Sequence, residues 1–263
     1  MSLQTTSHAY KIEAIPAFTD NYIWCLHNGI SAVVVDPGDA APVVEFLQQH
    51  GLNLTDILVT HHHYDHTGGI LSLMQAYPKV NVIGPHNPRI QGITQAAAEG
   101  EMVSLESLQL SYQVIEIPGH TLDHIAFFNQ QEIFCGDTLF SAGCGRMFEG
   151  TAPMFLTSLQ KIRALPSATQ VYCAHEYTLA NLKFAYSVDK QNKTLAEYTQ
   201  WASKRRQEGL ITLPCDIDMQ IKINPFLRTD SPVIRATINQ QGNYHCDDDV
   251  STFAALRSMK DNF

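Results

Sequence analysis

Within six consecutive positions the chain carries four side chains able to ligate a metal: His61, His63, Asp65 and His66. Nothing else in the 263 residues narrows the possible folds as much. Three imidazoles and a carboxylate are too costly to bury together unless a metal or exposure neutralises them. His61 and His63, two apart, can face the same way in an extended loop, whereas the adjacent Asp65 and His66 must diverge. One short loop can therefore serve two ions. Three other apolar strands run directly into a potential ligand: Ile117-Pro118-Gly119-His120, Phe134-Cys135-Gly136-Asp137 and Tyr172-Cys173-Ala174-His175, after the pattern of Leu58-Val59-Thr60-His61. Sites in open α/β sheets form beyond the carboxyl ends of strands, so four such endings can converge. A histidine like His120 or His175 alone would more often be a hydrogen-bonded or surface residue; the cluster turns the reading to ligands. Imidazole and carboxylate donors without a cysteine suit zinc or another borderline divalent ion in an open site. His62 and Tyr64 are given no role, His124 a structural hydrogen bond, and Asp36 either a turn or support behind the ligands.

The periodicity around the cluster alternates strand and helix. Val33-Val34-Val35 reads as a buried strand, and Val43, Phe46, Leu47 and His50 as a helix stopped by Gly51. Ile57-Leu58-Val59 is the next strand, and Ile70, Leu73, Met74 and Tyr77 mark an amphipathic helix closed by Pro78. Further strands are expected at Val114 to Ile117, Ile125 to Phe128, Ile133 to Cys135 and Val171 to Cys173, with no long helix between them. These make an α/β layered domain over residues 1–173. Residues 174–263 read as a smaller helical domain, with Leu179 to Arg206 and Val250 to Lys260 helical and Leu213 to Asp230, carrying Pro214 and Pro225, a loop. Met1, Ser2 and Leu3 enter none of these patterns.

A net charge of −9 with no long basic run argues against a nucleic-acid surface and favours a small-molecule substrate. No segment reaches about 18 consecutive apolar residues and no basic stretch precedes an apolar one near the start, so a soluble, cytoplasmic protein is expected. The six cysteines have no CxxC spacing and read as free thiols packed as small hydrophobes. A monomer is expected.

Thr60-His61-His62-His63-Tyr64-Asp65-His66, followed in order by His120, Asp137 and His175, resembles the HxHxDH signature of the metallo-β-lactamase superfamily. The resemblance narrows to the glyoxalase II (hydroxyacylglutathione hydrolase) family through Thr19-Asp20-Asn21-Tyr22, the segment Gly143 to Gly150, His175-Glu176-Tyr177, Asn181 to Ala185, Asn224 to Arg228 and Arg257 to Asp261. It covers nearly the whole chain. It implies a four-layer αββα sandwich followed by a helical domain. It implies one divalent ion on His61, His63 and His120, a second on Asp65, His66 and His175, and Asp137 between them. Zinc is the expected metal, with iron or manganese compatible. Glutathione contacts are implied at Arg146, Phe148, Tyr177, Arg257 and Lys260; the family commonly has Lys and Tyr where Arg146 and Phe148 stand, so a hydroxyl is missing at Phe148.

The implied reaction is hydrolysis of S-D-lactoylglutathione to D-lactate and glutathione, the second step of methylglyoxal detoxification. Two divalent ions sharing a water lower its pKa from 15.7 toward about 7, which makes hydroxide available to attack a thioester carbonyl. Asp65 and Asp137 are expected to orient that nucleophile. The departing thiolate needs little help from an acid. The nearest alternative is another hydrolase of the superfamily, such as a lactonase.

Overall fold

A computed structural model describes residues 10–241 and 243–263; Met1, Ser2 and Leu3 lie outside them. Among the described residues, two six-stranded sheets pack face to face between helices. The first sheet runs in sequence order through β1 (Lys11–Ala17), β2 (Asn21–His27), β3 (Ser31–Val35), β4 (Asn53–Leu58), β5 (Asn81–Gly84) and β6 (Gln95–Ala96). The second contains β7 (Met102–Leu105), β8 (Leu110–Glu116), β9 (Ile125–Phe128) and β10 (Glu132–Gly136). A small hairpin follows, β11 (Leu139–Phe140) with β12 (Gly143–Cys144), and then β13 (Gln170–Cys173) and β14 (Cys215–Asp216), which complete the second sheet in the order β14-β13-β10-β9-β8-β7.

Every residue of β2 is buried because both faces of its sheet are covered. Successive side chains alternate between them. Trp24 and Leu26, with Val33, Val35 and Leu58, meet Phe127, Phe134 and Ile117 of the second sheet in the central core. Ile23 and Cys25, with Val34 and Ile57, pack outward onto Val43 and Leu47 of α1 (Ala40–His50) and Ile70 and Leu73 of a later helix. Asp39 caps α1 and Gly51 ends it in the left-handed conformation. A single turn, α2 (Tyr64–Thr67), precedes that later helix, α3 (Ile70–Ala76).

Three expectations need correction. A long helix, α4 (Ala152–Arg163), lies between β12 and β13; Phe155, Leu156, Leu159 and Ile162 bury one stripe of it. The stretch from Leu179 to Arg206 forms two helices, α5 (Thr178–Val188) and α6 (Lys193–Gln207), because Asn192 accepts a hydrogen bond from Leu195 N and starts the second. Leu213 to Asp230 holds β14, α7 (Ile217–Ile223) and a 3₁₀ turn at Pro225–Leu227 instead of a loop. Pro214 and Pro225 flank α7 without interrupting it, Asp216 caps it, and Ile217, Gln220 and Ile223 are buried. The chain closes with α8 (Pro232–Gln240), which sequence periodicity had not singled out, and α9 (Asp249–Asp261). All six cysteines are free and buried. No helix among the described residues is long and apolar enough to cross a membrane.

Candidate metal centre

The seven residues expected as ligands come together at the carboxyl ends of β4, β10 and β13 and the loop after β8. His61 follows β4, His63 lies on extended backbone, and the helical turn α2 starts at Tyr64. That start turns Asp65 and His66 about 100° apart, which sends the loop's side chains to two places. His61, His63, His120 and Asp137 form one group, and Asp65, His66 and His175 another; within each, the ligand atoms lie within 4.8 Å of one another. In the first, His63 Nδ1 stands 3.1 Å from His61 Nε2 and 3.0 Å from His120 Nε2. Nitrogens about 2.0–2.1 Å from a tetrahedral zinc are separated by about 3.3 Å, close to this spacing. Asp137 spans the groups: its Oδ2 is 3.4 Å from His120 Nε2, while its Oδ1 is 3.4 Å from His66 Nε2 and 3.2 Å from His175 Nε2. Asp65 Oδ2 lies 3.4 Å from both His66 Nε2 and His175 Nε2.

Two buried atoms carry the fit test. His66 Nε2 and Asp137 Oδ1 make no hydrogen bond among the described residues. Buried polar atoms are rarely left so, and a cation between them would satisfy both. The donor set of imidazoles and carboxylates therefore suits a divalent metal.

Polar atoms behind the cluster hold the rings. Asp36, at φ 54°, accepts from Thr60 N and Thr60 Oγ1, each at 2.7 Å, and from His66 Nδ1 at 3.0 Å, so it is support behind the ligands as well as a turn. With its proton given to Asp36, the Thr60 hydroxyl can accept from His61 Nδ1 at 3.0 Å. His120 Nδ1 donates to Arg146 O, and His175 Nδ1 to Asp20 Oδ1 at 2.7 Å. Each partner leaves the opposite ring nitrogen free to face the centre. His124 takes no place in the cluster: its Nε2 accepts from Asp137 N, and its ring stacks on His61 at 4.5 Å. Burial, aided by the charge of His120, holds it down to about 3, so it stays neutral. His62 turns away to Asp123 at 2.9 Å, and Tyr64 is exposed. Two glycines are needed here. A Cβ on Gly145 would stand 2.0 Å from Asp137 O, and one on Gly136, at φ 46°, would stand 2.3 Å from Thr60 Oγ1.

Without metal the cluster holds protons. Burial works to lower His175, but the charge of Asp137 and polar contacts with Asp137 and Asp65 outweigh it and push it up to about 10; burial likewise opposes His66, which the charges of Asp137 and Asp36 raise well above its ordinary value. A raised histidine stabilises the fold fully below its unfolded value near 6.5 and loses that contribution as pH rises through its folded value. The metal-free protein is thus expected to lose melting temperature between pH 7 and 10, and to bind metal more tightly over the same range as the protons leave. A melting temperature flat over that range, followed by scanning fluorimetry in chelator, would contradict this protonation.

A cavity of about 430 Å³ opens from the cluster. His120 and Asp137 line it, and so do Phe148, Tyr177, Arg257 and Lys260. Phe148 is exposed, its ring 5.6 Å from that of His63 and 5.3 Å from that of His120. Tyr177 stacks flat on His175 at 4.7 Å. The side chain of Arg146 is largely exposed. Arg257, implied as a glutathione contact, is not a free cation. At 4% exposure its guanidinium donates to the carbonyls of Cys144 and Gly145 and pairs with Asp261 at 2.9 Å. Lys260 is half-buried, with Nζ 3.3 Å from Ala180 O; burial and the neighbouring Arg257 pull its pKa below the ordinary lysine value.

Residues 20–92 match the metallo-beta-lactamase superfamily, and residues 176–263 match the family described as hydroxyacylglutathione hydrolase C-terminus. A hydroxyacylglutathione hydrolase of Photobacterium profundum is 47% identical over 96% of this chain and 99% of its own. The chain belongs to the hydroxyacylglutathione hydrolase family. A family member from Cupriavidus taiwanensis is likewise 47% identical, again over 96% of this chain and 99% of that one. Among solved structures, ETHE1 from Myxococcus xanthus superposes with a TM-score of 0.63 at 23% identity, covering 95% of this chain and 97% of that one. That likeness carries the fold alone: the αββα arrangement of the metallo-β-lactamase superfamily. Asp20 and Asn21 reach the hydroxyacylglutathione hydrolase centre without having been assigned a part in it; the signal was their place in the segment Thr19 to Tyr22 that carries the family resemblance.

Proposed function

We propose that the chain is a thioesterase that hydrolyses S-2-hydroxyacylglutathiones, S-D-lactoylglutathione foremost, to a 2-hydroxy acid and glutathione. One observation carries the reading: a single cavity is lined both by the metal cluster, through His120 and Asp137, and by cationic side chains, through Arg146 and Lys260. Glutathione bears two carboxylates and one ammonium, so an acidic protein needs local positive charge to hold it.

In this reading His61, His63 and His120 hold one ion, Asp65, His66 and His175 a second, and Asp137 serves both; zinc is the expected metal, with iron or manganese compatible. When bound, the ions supply Lewis acidity and a water of lowered pKa. The chain's own residues then position the reactants. Asp65 and Asp137, kept ionised by the histidines around them, orient the water and accept its hydrogen bonds. Lys260 and Arg146 draw the glutathione carboxylates to the far end of the cavity, which leaves the thioester beside Asp137. Phe148 offers an apolar wall and Tyr177 both a wall and a brace for His175. The thiolate leaves with little help from an acid, since a thiol's pKa is only about 8.5. We read residues 1–173 as the hydrolase part and 174–263 as the glutathione-binding part of a cytoplasmic monomer that takes a small-molecule substrate, with no nucleic acid or membrane partner.

Purified protein is expected to release thiol from S-D-lactoylglutathione, with elemental analysis of the same sample giving two metal equivalents per chain. Faster turnover of lactones than of any acyl-glutathione would favour the lactonase alternative. Lys260→Ala is expected to raise KM by roughly 10-fold, the loss of one charge-assisted hydrogen bond, with kcat little changed. Arg257→Ala should in addition lower the melting temperature, because the carbonyls of Cys144 and Gly145 lose their donor; a pure KM effect would show that its guanidinium serves substrate alone.

A further inference from the structure

We propose that Asp20, in the turn between β1 and β2, and Asn21, the first residue of β2, are positioning residues for one half of the metal cage, the half formed by Asp65, His66 and His175. The proposal rests on the two-ion reading above. The turn is fastened to the segment after β13 along its backbone: Tyr22 N donates to Ala174 O at 2.7 Å, Glu176 N donates to Asp20 O at 2.9 Å, and Asn21 bridges His175. The strand end of one sheet is thus tied to the strand end of the other at the centre. With the main chain held, the two side chains reach different members of the same half. Asp20 Oδ1 accepts from His175 Nδ1 at 2.7 Å, which fixes the ring with Nε2 on the side of the centre. Asn21 Nδ2 donates at 3.0 Å to Asp65 Oδ2, the same oxygen that lies 3.4 Å from His66 Nε2 and His175 Nε2. A carboxylate otherwise rotates about its last bond; the buried Asn21 amide sets its plane.

The other half is supported differently. His61 and His120 donate to a hydroxyl and a backbone carbonyl, Thr60 Oγ1 and Arg146 O, and the turn reaches neither. Asp36 serves both halves, through His66 Nδ1 and through the Thr60 hydroxyl beside His61; Asp20 and Asn21 reach only one, so a change at either acts on that ion. Removing such a support typically weakens metal binding by about 10–100-fold.

Metal-free protein titrated with zinc against a chromophoric chelator reads the two equivalents separately. The wild type is expected to take two. Asn21→Ala and Asp20→Ala are expected to keep one at wild-type affinity and to weaken the other about 10–100-fold, while Asp20→Asn, which restores an acceptor oxygen to His175, recovers part of the loss. Two equivalents unchanged in both alanine variants would overturn the positioning role and leave the two-ion reading standing. Equal loss of both would mark the turn as general scaffold and likewise overturn the proposal. A wild type that takes a single equivalent would remove the two-ion reading and the proposal with it. The near-isosteric Asp20→Asn and Asn21→Asp keep the test available where an alanine variant does not fold; Asn21→Asp sets a second carboxylate against Asp65 and should weaken the same equivalent.

Discussion

Asp137→Ala is expected to lower kcat/KM for S-D-lactoylglutathione by about 10³-fold or more, since a shared low-pKa water and oriented charge together supply most of the rate. Asp137 reaches both halves of the cluster at once, one oxygen toward His120 and the other toward His66 and His175. Losing it takes an anion from both groups of side chains and leaves buried imidazoles facing each other. Asp137→Asn keeps the shape but turns an amide NH₂ toward one half, so it should fall between alanine and wild type. A second readout separates chemistry from collapse. The Asp137 charge is the strongest influence raising His175 against burial, so the metal-free variant should lose much of the decline in melting temperature between pH 7 and 10. Activity within tenfold of wild type would end the assignment of Asp137 to the centre.

Asp36→Ala should damage stability as much as activity. Its buried carboxylate accepts from Thr60 N, Thr60 Oγ1 and His66 Nδ1. Truncation leaves these donors without their acceptor, at about 1–3 kcal/mol for each one left unsatisfied, and puts alanine at a positive φ. A net loss of about 3 kcal/mol is expected, which corresponds to a fall in melting temperature of about 6–12 °C for a chain of this size. Turnover should drop as well, because His66 loses its Nδ1 acceptor and Thr60 no longer has a fixed hydroxyl for His61. Asp36→Asn tolerates the backbone yet has one acceptor oxygen where two are used, so it should recover part of the stability. A melting temperature within about 2 °C of wild type for Asp36→Ala, measured calorimetrically, would contradict this account.

Much of the centre was legible in the sequence because its ligands follow strands. An apolar strand that ends in Thr60, Gly119, Gly136 or Ala174 announces the next residue as one that leaves the sheet at its carboxyl edge, and His61, His120, Asp137 and His175 all stand there. The division of the loop was legible too: His61 and His63 are two apart, Asp65 and His66 adjacent. The helices α4 and α7 were not. Each buries a narrow stripe, and the prolines near them read as breakers when two of them merely flank α7. The segment Thr19 to Tyr22 stood out by its family resemblance, but the part played by Asp20 and Asn21 was not legible, for their partners His175 and Asp65 lie far along the chain and nothing local says which side chains a polar turn supports.

Residue type and local spacing thus determined by themselves which side chains could hold metal and that the enclosing layers alternate strand and helix. Those properties depend on neighbours within a few positions. Only the tertiary structure decided which oxygen of Asp137 faces which half, that Arg257 spends its charge on the carbonyls of Cys144 and Gly145, and that the turn before β2 is fastened to the end of β13. Such facts arise from contacts between separate chain segments, more than a hundred residues apart for Arg257 and for the turn, and a hydrogen bond's direction exists only once both partners are fixed in space.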